Sequence, residues 1–163
     1  MTVMELLLES QIEHAYEPLE ALLRGDPERW LPGAERMGEQ LIFELSPGPP
    51  AQRVRRKVRA TLSRVQPFGH GVVVHVEWQA LRHPELYPTL TGALRLERAG
   101  PGHCRLTFDV TYRPPAGRVG AVVDQALMHR VGEASLRDFV ARLVSRLAEE
   151  ASADARPGEG GRP

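Results

Sequence analysis

Cysteine, long apolar runs and basic leader residues are scarce in this sequence. Cys104 is the only cysteine among 163 residues, so no disulfide can form within the chain and nothing indicates an oxidising compartment. No apolar run reaches the roughly 18 residues that a membrane-spanning helix needs. Residues 1–8 contain Glu5 and lack the basic segment of a signal peptide. We therefore expect a soluble, cytoplasmic protein without a membrane span.

An excess of positive charge is also missing. Lys and Arg together number 21, as do Asp and Glu, so the formal net charge is zero. General nucleic-acid binders usually carry a basic excess, because phosphate contacts drive their affinity. One basic cluster lacks interleaved aromatic residues and is typical of a solvated strand face: Arg53, Arg55, Arg56, Lys57 and Arg59. We expect no nucleic-acid partner.

Familiar catalytic and metal-binding motifs are absent from the sequence. It has no Gly-x-Ser-x-Gly elbow, no Gly-Lys-Ser or Gly-Lys-Thr phosphate loop and no paired cysteines. His70 and His75 lie on or beside a strand at a spacing that points them to opposite faces, which argues against a shared metal. We predict neither a metal nor a cofactor, and whether the chain is an enzyme stays open.

The composition is that of a globular protein, with 42% hydrophobic and 26% charged residues. The length fits a single domain, which we place at residues 1–150. Residues 151–163 are rich in glycine and proline and contain no large apolar side chain. We therefore predict a disordered tail over residues 151–163.

Alternation of apolar and polar residues predicts six strands. In the clearest of them, Val74, Val76 and Trp78 lie on one face, whereas His75 and Glu77 lie on the other. Because no helix separates the central strands, neighbours should pair antiparallel in a sheet with one apolar and one polar face. The strands are predicted at residues 3–12, 40–46, 53–65, 72–81, 90–97 and 105–112, with a turn at 67–69; a seventh strand would come from a split of 33–46 or 53–65.

Helices are predicted on either side of the central strands. Two short helices follow the first strand, one at residues 15–23 and one capped by Asp26 with Pro27 at its first position. A long helix is predicted at residues 119–150, where apolar side chains recur every three or four positions: Leu136, Val140, Leu143, Val144 and Leu147. This helix is the only predicted element large enough to cover the apolar face of the sheet.

Three stretches carry a resemblance to a known family: residues 26–32 (DPERWLP), 112–120 (YRPPAGRVG) and 124–131 (DQALMHRV). Together with the order of elements, they resemble the START-like helix-grip superfamily (SRPBCC; the polyketide cyclase/dehydrase and lipid-transport group). The resemblance implies an α+β helix-grip fold, with a curved antiparallel sheet of six or seven strands around a long C-terminal helix and two short helices after strand 1. It also implies a hydrophobic cavity between the sheet and the last helix.

The predicted cavity has mostly apolar walls. The apolar residues that we place in it are Val74, Val76, Trp78, Phe108, Tyr112 and Leu136, although the aromatic ones could equally be plain core. His129 and Glu133 are helix neighbours on the side facing the sheet, where they would orient a ligand or move a proton, or else form an ordinary ion pair at the rim. Arg56 shares the inward side of its strand, and it would meet a ligand carboxylate or phosphate, reach solvent from a frayed strand end, or pair with Glu133.

Three functions are compatible with this pattern. We favour the binding of a small hydrophobic ligand that is lipid-like, isoprenoid or aromatic, because few polar residues face inward. The first alternative is a polyketide cyclase/dehydrase-like enzyme with His129 and Glu133 as acid and base. The second is a protein-interaction module, including a homodimer.

Overall fold

The computed structural model describes residues 3–45, 56–82, 89–113 and 122–155 and has the predicted α+β architecture. A curved antiparallel sheet packs against one long C-terminal helix. The strands are β1 (Met4–Ile12), β2 (Glu35–Met37), β3 (Gln40–Leu45), β4 (Arg56–Leu62), β5 (Gln66–Phe68), β6 (Gly71–Ala80), β7 (Thr89–Gly100) and β8 (His103–Arg113). The helices are α1 (Tyr16–Arg24), α2 (Pro27–Trp30) and α3 (Val122–Ala155).

The eight strands follow the order β1-β8-β7-β6-β4-β3-β2, with β5 paired to β6 beside this path. The six longer strands correspond to the six predicted ones. The other two have three residues each, and they correct the expected count of six or seven. β2 arises within residues 33–46, where a split was considered. β5 replaces most of the turn predicted at residues 67–69, and the turn instead uses Gly69 at a φ of 54°.

The strand predicted at residues 53–65 ends early and continues as β5. Both β4 and β5 pair with β6, β4 through Leu62 and Val76 and β5 through Gln66 and Val73. Between them, Ser63 donates its backbone N–H to the carbonyl of His75 at 2.8 Å and accepts the His75 N–H on its hydroxyl at 2.8 Å. The Ser63 side chain therefore bridges the break, so that β4 and β5 lie end to end along β6.

One face of the sheet is apolar, as the alternation predicted, and we call it the inner face because it packs against α3. On β8, the inner-face residues Cys104, Leu106, Phe108, Val110 and Tyr112 are all buried. The opposite, outer face is mostly polar and exposed, although Leu7 is 61% and Phe68 is 41% exposed. The sheet therefore offers a single continuous surface for a core.

The two short helices form as predicted. α1 buries Tyr16, Leu19, Leu22 and Leu23. The carboxylate of Asp26 caps α2 by accepting the backbone N–H of Glu28 at 3.1 Å, with Pro27 in the first turn. Trp30 and Leu31 are 0% and 2% exposed, in agreement with their predicted inward placement.

The last helix, α3, is longer at its C-terminal end than the sequence suggested. Its 34 residues span about 51 Å and run to Ala155. Ala151 is 0% exposed, so the segment predicted as a tail begins with a helical, buried residue. Arg29 of α2 fixes this end through Glu150 at 3.0 Å and Asp154 at 2.8 Å. Within the described ranges, no helix is long and apolar enough to cross a membrane.

Candidate ligand-binding site

The register of the sheet brings the predicted wall residues together. Across the strands, Tyr112 pairs with Met4 and Leu90, and Leu90 pairs with Trp78. Phe108 lies on the same face of β8 as Tyr112, four residues earlier. The six apolar and aromatic residues assigned to the cavity, Val74, Val76, Trp78, Phe108, Tyr112 and Leu136, are all at most 6% exposed and belong to one core cluster.

Four aromatic rings meet in the middle of this core, and we refer to Phe43, Trp78, Phe108 and Phe139 as the aromatic cluster. The centroid of the Phe139 ring on α3 lies 5.5 Å from that of Phe43, 5.2 Å from that of Trp78 and 5.8 Å from that of Phe108. The Trp78 centroid also lies 5.2 Å from that of Phe43 and 5.8 Å from that of Phe108. These separations are those of rings in direct contact, so this part of the interior is filled.

The sequence interpretation did not include Phe43 and Phe139. Phe43 shares the inner face of β3 with Leu41, so alternation along that strand could have identified it. Phe139 lies three residues after Leu136 and four before Leu143, both on the apolar stripe of α3. Helical periodicity therefore contained the information for Phe139.

The absence of a side chain at Gly92 leaves room for the Phe108 ring. A Cβ atom at position 92 would lie 2.7 Å from Cε2 of Phe108 and 3.2 Å from the backbone oxygen of Asp109. Gly92 pairs with Val110 on β8 and with Val76 on β6. The missing side chain lets the Phe108 ring lie across β7 and approach Trp78.

On β1 and β3, the inner face becomes more exposed toward the edge where β8 ends, which we call the Tyr112 edge. On β1, Ile12 and Leu8 are 1% and 5% exposed, whereas Leu6 and Met4, nearer to this edge, are only partly buried. Leu45, at the same edge of β3, is also only partly buried, although Leu41 and Phe43 are buried. On β4 the change is opposite, because Leu62 lies farther from the Tyr112 edge than the buried Val58 and is only partly buried. The apolar surface thus opens toward the Tyr112 edge on β1 and β3.

The N-terminal half of α3 lies over the Tyr112 edge. The C-terminal end of α3 is fixed to α2 by Arg29, and Phe139 in the middle of the helix contacts Phe108. The residues before Leu136 therefore extend from Phe108 toward Tyr112. The charge of Glu133 acts on Tyr112, which agrees with this placement.

Tyr112 and Glu133 form the polar end of the site. Burial raises the pKa of the Tyr112 phenol, and the negative charge of Glu133 raises this pKa further. The Glu133 carboxylate accepts hydrogen bonds from Arg137 on the same helix, at 2.8 Å from Nη2 and 3.1 Å from Nε. The phenol therefore stays protonated at neutral pH and can donate a hydrogen bond.

Two other polar residues of the predicted site have side chains outside the described residues. For His129, the structure describes the backbone position within α3 only, so its pairing with Glu133 stays a prediction. The backbone of Arg56 pairs with Leu45, and Arg56 lies two positions before the buried Val58 on the same face of β4. The predicted inward placement of the Arg56 side chain therefore stays a prediction.

Cys104 lies at the opposite, closed end of the sheet. The thiol is fully buried, donates to the backbone oxygen of His14 at 3.4 Å and has its pKa raised by burial. A buried thiol with a raised pKa is a poor nucleophile. Cys104 therefore belongs to the packing between β8 and the segment that leads into α1.

Solved structures with the same fold extend these observations. The Zhui aromatase/cyclase from Streptomyces sp. R1128 superposes with a TM-score of 0.60 over 98% of this chain and 100% of its own, at 12% identity. A START superfamily protein from Mycobacterium smegmatis gives a TM-score of 0.54 at 11% identity, over 93% of this chain and 99% of its own. A truncated norcoclaurine synthase from Thalictrum flavum gives 0.57 at 10% identity, over 91% and 92%.

These similarities cover nearly the whole of each chain, but the identities are low. No protein-family model and no curated protein matches the sequence. The likeness therefore concerns the fold, and it agrees with the sheet order, the two short helices after β1 and the long last helix. The chain has the START-like helix-grip fold.

Proposed function

We propose that this protein binds a small hydrophobic molecule between the inner face of the sheet and the N-terminal half of α3. The observation that carries the proposal is the change in burial along the inner side of β1: Ile12 and Leu8 are buried, whereas Leu6 and Met4 are only partly buried. Apolar side chains that are partly exposed under a covering helix lose contact with water when a ligand occupies the space beside them. The ligand would enter at the Tyr112 edge.

The polar end of the site would orient the ligand. Tyr112 contributes the only hydroxyl among the buried inner-face residues that the structure describes. An apolar pocket with a few placed polar groups is the usual design of a small-molecule site. A ligand with one carbonyl or hydroxyl group would place this group near Tyr112 and Glu133 and its apolar part against the wall.

The proteins that share the fold support this choice of ligand class. One is an aromatase/cyclase, and a norcoclaurine synthase point mutant was solved in complex with a transition-state analogue. The ligand class proposed here is lipid-like, isoprenoid or aromatic. Whether the bound molecule also reacts, with His129 and Glu133 as acid and base, stays a prediction.

Two neighbouring residues of β1 allow a matched test. Leu6 lies on the inner face near the Tyr112 edge, whereas Leu7 lies on the outer face and is 61% exposed. Leu6→Arg should lower the affinity for phenylnaphthylamine, a neutral probe that fluoresces in apolar surroundings, by about tenfold or more, because the bound probe would cover the guanidinium and remove it from water. Leu7→Arg should leave the affinity unchanged.

Circular dichroism would establish that both variants are folded, which we expect because Arg at a partly buried site can extend its charge to water. Fluorescence titration then compares the three proteins. Equal affinity in both variants, or no binding to the unaltered chain, would contradict the proposal. Native mass spectrometry of the chain purified from its own host would identify the natural ligand class.

A further inference from the structure

The aromatic cluster closes the interior toward β6 and β3 at the level of Tyr112, and its Phe108 and Phe139 rings close it on the side away from the Tyr112 edge. Its four rings come from β3, β6, β8 and α3, and none of these residues is more than 4% exposed. Because α3 contributes the Phe139 ring and the three strands contribute the others, the cluster spans the whole distance between sheet and helix. A ligand that enters at the Tyr112 edge therefore has Trp78 beside it and meets the rings of Phe108 and Phe139 ahead of it.

The interior beyond the aromatic cluster is tightly packed. On α3, Leu143, Leu147 and Ala151 are each 0% exposed, and on the facing strands Leu96 and Leu106 are also 0% exposed. Together they form the core between the sheet and the C-terminal half of α3. Lengthening a ligand into this region would require the displacement of well-packed side chains, which is costly.

The register of the sheet limits the size of the apolar wall, by which we mean the inner-face surface that the aromatic cluster leaves for a ligand. Along β8, the wall extends from Phe108 to the end of the strand at Arg113, which is about 17 Å at 3.4 Å per residue. Across the sheet, Trp78 lies in the same row as Tyr112 and Leu90. The free wall is thus formed by β1, β8 and β7, roughly 10 Å wide at about 4.8 Å between strands.

We infer that the aromatic cluster bounds the binding site, with Phe108 and Phe139 as its floor, and restricts it to compact ligands of a few rings or a short chain, with Phe139 as the residue that sets the depth. This inference rests on the proposed function. An extended hexadecyl chain exceeds the depth of the wall, whereas a bicyclic phenol fits within both its depth and its width. The phenol also has one hydroxyl for the polar end of the site.

The test measures the binding of naphthol and hexadecanol by titration calorimetry to the full chain and its variants. The unaltered chain should bind naphthol at least about tenfold more tightly than hexadecanol. Phe139→Ala removes the ring that joins the helix to the cluster, and it should raise the affinity for hexadecanol about tenfold, as the burial of two further methylene groups would. Phe139→Leu keeps most of the side-chain volume and should give a smaller gain in affinity for hexadecanol. It keeps the inference testable if the alanine variant does not fold.

Leu143→Ala provides the matched control. Leu143 is as deeply buried as Phe139 but lies beyond the aromatic cluster, so its truncation should weaken folding without changing the preference for naphthol. Tight binding of hexadecanol by the unaltered chain, or equal gains in the Phe139→Ala and Leu143→Ala variants, would overturn the inference while leaving ligand binding intact. Binding of neither compound by any of the proteins would overturn the proposed function and this inference with it.

Discussion

Gly92 has no side chain, and the ring of Phe108 lies over the position where a side chain would begin. A methyl group there would force the ring away from Trp78, because it would lie 2.7 Å from Cε2 of Phe108. Gly92→Ala should therefore lower the free energy of unfolding by about 1–3 kcal/mol, the usual cost of overpacking a core. Urea denaturation followed by circular dichroism measures this change.

The same substitution should have the opposite sign in α3. A Cβ atom at Gly132 would meet nothing within 4 Å, so Gly132→Ala should raise the free energy of unfolding by about 0.5–1 kcal/mol through helix propensity. This variant is the control for Gly92→Ala. Equal effects of the two substitutions would show that the contact with Phe108 is not what makes position 92 special.

At the level of single residues, the sequence predicted positions better than contacts. Alternation placed Trp78, Phe108 and Tyr112 on the inner face, and all three are buried there. It could not tell that Trp78 and Phe108 contact each other, because this depends on the register between β6, β7 and β8 and on the missing side chain of Gly92. Periodicity describes one element at a time, whereas a site is formed between elements.

The end of α3 is held by contacts between distant parts of the chain. Ala151 is fully buried, and Arg29 pairs with Glu150 and Asp154 beside it. Ala151→Asp should therefore destabilise the protein by at least about 2 kcal/mol, because a short charged side chain would be buried at this point. Ser152→Asp, one residue further on an exposed position, should change stability by no more than about 0.5 kcal/mol.

Thermal and urea denaturation would measure the stability of the Ala151→Asp and Ser152→Asp variants. A similar, small effect of the two substitutions would mean that the helix is not docked at Ala151.

The predicted end of the helix was too early because alanine gives no strong apolar periodicity. The pairing of Arg29 with residues more than a hundred positions later has no local trace in the sequence.

The two strands that the sequence did not reveal are both short. β2 and β5 contain three residues each, which is too few for alternation to stand out. β5 also contains Pro67, which usually marks a turn and here faces Val72 within a short hairpin. The six long strands, by contrast, showed enough alternation for their existence and pairing direction to be predicted.

For the whole molecule, the burial of ionisable groups in the core should make stability sensitive to alkali. Tyr16, Tyr112 and Cys104 are buried, and burial is the main cause that raises the pKa of each. Each group therefore keeps its proton in the folded state at a pH where the unfolded chain has lost it. The stabilisation is fully present below the ordinary values of 9.0 for Cys and 10.0 for Tyr, and it is lost as the pH rises through the higher folded values.

Above about pH 9, the free energy of unfolding should thus fall by at most about 1.4 kcal/mol per pH unit for each of the three groups. Urea denaturation at a series of alkaline pH values measures the slope. Tyr112→Phe should make this slope less steep, because the phenylalanine ring preserves the packing but has no proton to lose. Cys104→Ala should also make the slope less steep, and its effect should begin at a lower pH because the ordinary pKa of Cys is 9.0 and that of Tyr is 10.0. A slope that is the same in all three proteins would mean that Tyr112 and Cys104 ionise as freely in the folded chain as in water.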